Sequence, residues 1–351
     1  MSYSDESQYV LASNANGRSR DRRFGANGNT GRKDGCRLLK NLLVERTKDA
    51  LGRGEVRNSF NHWEGAMKKL ILILGLAGLW PLSPSWAQTF PPNEAGVSMG
   101  AWHTIVRDVE TTKKWWELWG ATPMKIDGVD VMKFHGVFVF MTPGEPAGPT
   151  AGRLIDHIGF ASAKGFDLMK KLLAGGVKTD PINPETLRAP NWQPGLRVWT
   201  HTYNPDGLKV EVSNNEDAIA ANDLNAPLQG DMMHFFYKDL AELKIAYNWY
   251  RKFFGAKPPP IPSINITQVI PGTRLTYALS REGARPLNKG GALDYVGYEV
   301  KNLEAFCKKL EASGVKLDQP YSKTRHKSYA TAQLTDPWGT VIELTEGLSR
   351  F

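Results

Sequence analysis

The chain has 351 residues, room for two or three domains, and a formal net charge of +8. That excess is local: residues 1–87 hold 14 of the 44 Lys+Arg and 8 of the 36 Asp+Glu, leaving 30 against 28 for the rest. A nearly neutral body without a basic cluster interleaved with aromatics excludes nucleic acid as a charge-driven partner. The two cysteines, Cys36 and Cys307, sit in different regions, which excludes a disulfide framework and a thiolate metal site.

Residues 1–66 are polar, rich in Arg, Asn and Gly, and without sustained periodicity, the composition of a disordered or non-native extension. Met67-Lys68-Lys69 then opens a charged segment, followed by the apolar run Leu70 to Trp80 and a small-residue site at Ser85-Trp86-Ala87. Residues 67–87 thus have the order of a secretory signal peptide, too short to span a bilayer comfortably. Met67 is the expected start, and the mature chain from Gln88 is expected to be exported, periplasmic or secreted, with no membrane attachment after cleavage.

Beyond the leader, four segments share one rhythm: a strand, a polar junction, an amphipathic helix, a Gly and a new strand. They run from Asp108 to Gly120, from Lys164 to Gly176, from Asp239 to Gly255 and from Asn302 to Gly314. Three of these spans are 12 residues and the third copy is 16, one more helical turn. The closing glycines suit left-handed C-caps. Short strands follow, among them Val131 to Phe134, Val137 to Met141, Val198 to Thr202 and Leu208 to Val212. The polar stretch between the second and third copies marks a linker at 218–228, dividing the mature chain into domains 97–217 and 229–348. One helix and several strands per module predict an α+β fold of two tandem domains, each of two βαβββ modules, with helices outside a curved sheet. The Trp115, Trp116 and Trp119 cluster is expected on a core-facing helix side.

Two matching hairpins carry the chemistry. Asn204-Pro205-Asp206-Gly207 leads into Glu211, and Asp336-Pro337-Trp338-Gly339 leads into Glu343. Pro second and Gly fourth is type I turn chemistry, and each turn presents one carboxylate from the strand behind it.

The repeated strand-helix-strands module, with Asp156-His157-Ile158-Gly159-Phe160, Leu293-Asp294-Tyr295-Val296-Gly297 and the two hairpin-Glu endings, resembles the vicinal oxygen chelate superfamily. That superfamily includes glyoxalase I, bleomycin-resistance proteins and extradiol ring-cleaving dioxygenases. The resemblance covers almost all of 97–348 and implies paired modules forming cup-like sheets, with metal ligands on the first and last strands of modules. His157 occupies the first-strand ligand position and Glu211 the last-strand position of the second module. In the first module Ala101 stands at the ligand position and His103 two residues on, on the same face. The metal set implied is His103, His157 and Glu211, with Glu211 and His201 as candidate proton-transfer groups. In the second half, Met232, Tyr295 and Glu343 hold the equivalent places, and His234, Tyr295 and Glu343 are expected to line a pocket.

The function implied is an exported enzyme using one divalent metal (Fe, Mn, Zn or Ni) on a small oxygenated or aromatic substrate, as a ring-cleaving dioxygenase or a glyoxalase-type lyase or isomerase. The competing class is a metal-free ligand-binding protein of the bleomycin-resistance type, which Ala101, Met232 and Tyr295 favour. The expected partner is a small molecule, with homo-oligomerisation left open.

Overall fold

The computed structural model describes residues 89–181, 199–214, 228–260 and 265–351. The 1–66 extension, the 67–87 leader and the 218–227 part of the linker lie outside the described residues, so their expected roles are not addressed by it. Module one comprises β1 (Val97–Val106), α1 (Val109–Trp119), β2 (Thr122–Ile126), β3 (Val129–Phe134) and β4 (Val137–Pro143). Module two comprises β5 (Ile155–Ala161), α2 (Gly165–Ala174), β6 (Lys178–Thr179), β7 (Trp199–Tyr203) and β8 (Lys209–Ser213). Module three has β9 (Gln229–Tyr237), α3 (Leu240–Phe254), β10 (Ile266–Ile270) and β11 (Thr273–Leu279). Module four has β12 (Leu293–Val300), α4 (Leu303–Ala312), β13 (Leu317–Ser322), β14 (Ala330–Thr335) and β15 (Val341–Glu346), and a 3-10 turn, Leu348–Arg350, follows.

The local signals act as expected. Asp108 caps α1 by accepting from the Glu110 and Thr111 N–H groups at 2.9 and 3.1 Å, and Asp239 caps α3 through the Glu242 N–H at 2.8 Å. The four closing glycines all have positive φ, at 92, 74, 66 and 85°. In the hairpins, Gly207 N–H donates to the Asn204 carbonyl at 3.2 Å and Gly339 N–H to the Asp336 carbonyl at 3.0 Å. Each turn is braced by its first side chain, Asn204 Oδ1 accepting from Asp206 and Leu208, and Asp336 Oδ1 from Trp338 and Thr340.

The α+β architecture of paired modules in curved sheets is present, but the pairing crosses between the halves of the chain. One sheet has the order β13-β14-β15-β12-β1-β4-β3-β2, joining modules one and four; the other has β10-β11-β9-β5-β8-β7-β6, joining modules two and three. The halves expected to close their own sheets stay in touch on the helical side instead. There Thr112 of α1 donates to Asp206 of the second module's hairpin at 2.9 Å, and Tyr250 of α3 donates to Asp336 of the fourth module's hairpin at 2.8 Å. The physical reason is that every module offers the same free edge on its first strand. Module spacing therefore reveals four units without revealing which first strands meet. They meet as antiparallel pairs, β1 with β12 and β5 with β9.

A continuous apolar core lies on the helical faces of both sheets and runs from one to the other where Trp102 of β1 meets Phe160 of β5, with ring centroids 5.3 Å apart. Trp115, Trp116 and Trp119 are buried in it, as expected. The opposite, concave faces form two cups. Bulges in the first strands set which residues face which side: Gly100 interrupts the β1 register, so Met99 and Trp102 face the core while Ala101 and His103 face the cup. Gly100 is required there by close approach, since a Cβ would sit 2.9 Å from the Glu299 backbone nitrogen. Gly100→Ala should therefore destabilise the protein by about 1–3 kcal/mol, read as a lower denaturant midpoint. An unchanged midpoint would show that the strand pair can shift to accept a methyl group.

Candidate metal centre

The second sheet's cup gathers four functional side chains. The turn at Asn204 to Gly207 fixes the register in which His201 lies directly opposite Glu211. Parallel pairing then places Glu211 beside Gly159 of β5, and antiparallel pairing sets His157 opposite His234 of β9. A Cβ on Gly159 would meet Met232 Cγ at 2.6 Å and Glu211 Cβ at 3.4 Å, so a glycine here keeps the cup floor open.

Within it, His157, His201 and Glu211 each offer one ligand atom, all within 4.8 Å of one another. His157 Nε2 lies 3.6 Å and His201 Nε2 3.8 Å from Glu211 Oε2. Each ring is held from behind by a carboxylate on its other nitrogen: His157 Nδ1 is 2.8 Å from Asp156 Oδ1, and His201 Nδ1 is 2.9 Å from Asp180 Oδ2. Tyr203 also donates to Asp180, at 2.8 Å. A carboxylate on Nδ1 keeps the proton there and leaves Nε2 as a lone pair, the arrangement that metal-binding histidines have.

The carboxylates around this donor set are held in the ionised form. Burial opposes ionisation of Glu211, but the hydrogen bond and charge of His157, then His201 and Arg274, outweigh it and lower its pKa to about 2. Asp156 is likewise held well below the usual carboxylate range against its burial, by His157 and Lys209. Burial lowers the His201 pKa, with Asp180 acting in the opposite sense. His157 is also desolvated, but its bonds to Asp156 and Glu211 raise its pKa on balance. His234 is pushed down to about 3, by burial first and the His157 charge second, so its ring is neutral. Two imidazole nitrogens and one ionised carboxylate converging in a buried cup fit a divalent ion such as Fe, Mn, Zn or Ni.

The expected set of His103, His157 and Glu211 is thus divided. His103 lies in the first sheet's cup with Glu343, Nε2 to Oε2 3.0 Å, a close contact without hydrogen-bond alignment. Its ring is sandwiched between Phe140 and Tyr295, with centroids 4.7 and 4.0 Å away. The exchange follows from the pairing of modules: β1 meets β12, so His103 faces Tyr295, and β5 meets β9, so His157 faces His234. His234 therefore leaves the pocket expected for it beside Tyr295 and Glu343, and its Nδ1 lies 3.3 Å from His157 Nε2. Tyr295, whose pKa is raised by burial and then by Glu343, remains a neutral phenol. This first cup is apolar, with Ala101, Phe138, Phe140, Val131, Tyr329 and Leu348 in one cluster.

His201, expected as a proton donor, stands beside His157 and Glu211 in the group that could hold a metal ion. Counting back from the turn would have placed it across from Glu211, since Tyr203 pairs Lys209 and His201 pairs Glu211. Asp180, which reaches the site from the end of β6, had no sequence signal.

Comparison with known proteins agrees with this architecture. Residues 231–344 match the family described as Glyoxalase/Bleomycin resistance protein/Dioxygenase superfamily. No curated protein matches the chain. Among solved structures, a point mutant of glyoxalase I from Zea mays is similar over 73% of this chain and 95% of its own, at 16% identity and a TM-score of 0.54. A candidate dioxygenase from Bacillus subtilis subsp. subtilis str. 168 is similar over 74% and 86%, at 11% identity and a TM-score of 0.52. At these identities the likeness is one of fold. The family match covers residues 231–344, about a third of the chain, and the paired modules and cup-like sheets on both sides of it have the same kind of architecture.

Proposed function

We propose that His157, His201 and Glu211 hold one divalent metal ion and that the protein is a metal-dependent enzyme acting on a small oxygenated or aromatic substrate. The observation that carries this is the paired backing of the two rings. Asp156 and Asp180 each hold an Nδ1, and both Nε2 atoms turn toward Glu211. A bound divalent ion would supply Lewis acidity toward substrate oxygens. Two histidines and one carboxylate leave coordination positions open, the donor set of non-haem iron oxygenases, which favours ring-cleaving oxygenation over glyoxalase-type isomerisation.

The chain's own residues supply the rest. Asp156 and Asp180 orient the rings. His234, neutral and half-buried, has an Nε2 atom without a hydrogen-bond partner, and it takes or returns a proton beside His157. The mature enzyme is exported by the 67–87 leader, and N-terminal sequencing of protein from the native host should begin at Gln88.

The test is elemental mass spectrometry of protein purified without a metal-binding tag, followed by oxygen uptake with catechols and isomerisation of thiol–ketoaldehyde adducts. About one equivalent of iron with oxygen uptake supports the oxygenase. Zinc, nickel or manganese with isomerisation would move the assignment to the glyoxalase type. No metal even after reconstitution would favour a ligand-binding protein.

A further inference from the structure

We propose that Asp156, clamped between Lys209 and Arg285, is the positioning residue that fixes His157 as a nitrogen donor of the cup. This rests on the metal assignment above and deepens it.

Neighbouring residues in a strand face opposite sides, so adjacent Asp156 and His157 should not touch. A bulge between Ile155 and His157 breaks that alternation and turns both toward the same region. Asp156 Oδ1 then meets His157 Nδ1 at 2.8 Å and Lys209 Nζ at 2.9 Å. Oδ2 accepts from the Gly152 N–H at 2.8 Å and from Arg285 Nη1 at 3.0 Å. Four donors occupy the roughly four acceptor positions of a carboxylate. Asp156 therefore has no lone pair left for a ligand, and its role is to orient the imidazole.

Arg285 brings a second element into the arrangement. It lies on the connection from β11 to β12, where the chain crosses from the second sheet to the first. That connection grips the start of β5. Asn288 Oδ1 accepts from Ile155 N–H and Asn288 Nδ2 donates to the Ile155 carbonyl, both at 2.8 Å, and Leu154 N–H donates to the Pro286 carbonyl at 2.9 Å. The Arg285 guanidinium also lies over the Phe236 ring, 4.0 Å from its centroid, and its Nε donates to Ser280 Oγ at 3.2 Å. The crossover thus splints the strand immediately before Asp156, and Arg285 joins the splint to the carboxylate. Lys209, two residues before Glu211, closes the other side.

The experiment compares wild type, Asp156→Asn, Arg285→Ala and Arg285→Lys in two measurements. One is Mn2+ and Zn2+ affinity by competition with a chromophoric chelator. The other is the His157 Nδ1–H signal in metal-free protein labelled with 15N-histidine. Asp156→Asn keeps the shape and removes the charge. It should weaken metal binding about tenfold or more and move the His157 N–H proton away from the low-field position of a carboxylate-bonded imidazole. Arg285→Ala should weaken binding less, and Arg285→Lys should restore it. Wild-type affinity and an unchanged N–H signal in Asp156→Asn would overturn the positioning role while leaving the metal assignment intact. A wild-type protein that binds neither ion would overturn the metal assignment, and with it the donor role for His157; the N–H signal would then report only a structural bond.

Discussion

Replacing Glu211 with Ala should empty the protein of metal, and His157→Ala and His201→Ala should reduce its content to near background. His103→Ala and Glu343→Gln should leave it unchanged. The contrast follows from strand order. Glu211, His201 and His157 sit on β8, β7 and β5 of one sheet, whereas His103 and Glu343 sit on β1 and β15 of the other. Removing a ligand should cost more than the roughly 10–100-fold loss seen when a group that only orients a ligand is changed. Glu211 should show the largest effect, because it is the only carboxylate in the three-residue set and supplies its negative charge. Elemental analysis of the five variants decides the matter. Metal retained in Glu211→Ala but absent from Glu343→Gln would move the centre to the first sheet, where His103 and Glu343 are the closest buried pair.

Much of this arrangement was legible in the sequence. The helix caps at Asp108 and Asp239 and the two Pro/Gly hairpins are local signals, decided within a few residues. The pairing of modules is not local. It depends on which free edge meets which, and β1, β5, β9 and β12 carry no distinguishing mark that a spacing argument can read. That single unknown separated His103 from His157 and Glu211 and moved His234 into contact with His157. His201 was recoverable, because a tight turn dictates what lies across from Glu211. Asp156 was visible as a residue beside His157, but its contact with that ring depends on a bulge, and a bulge is settled by the partner strand. Asp180 reaches His201 through tertiary structure alone.

Phe160→Ala should be the most damaging single change in the core. The ring is fully buried and has four aromatic neighbours, Phe134, Trp102, Trp119 and Trp116, with centroids 4.5, 5.3, 5.5 and 5.8 Å away. These come from the first sheet and from α1, whereas Phe160 belongs to the second sheet, so the side chain fills the place where the two layers meet, and no single neighbour can collapse into the space. Truncating a buried Phe costs about 3–5 kcal/mol when the cavity does not close. That is a large share of the ~5–15 kcal/mol by which a folded domain typically exceeds its unfolded state. The expected result is a markedly lower denaturant midpoint with an unchanged slope, the sign of lost stability without a change in the surface exposed. His157 lies on the same strand, three residues before Phe160, so metal affinity should fall as well, although no ligand has been touched. Two separate transitions in the variant, one for each sheet, would show that this ring cluster is what makes the two sheets unfold together. A single transition at a lower midpoint would place the mechanical support of the candidate metal centre at the Trp102–Phe160 contact.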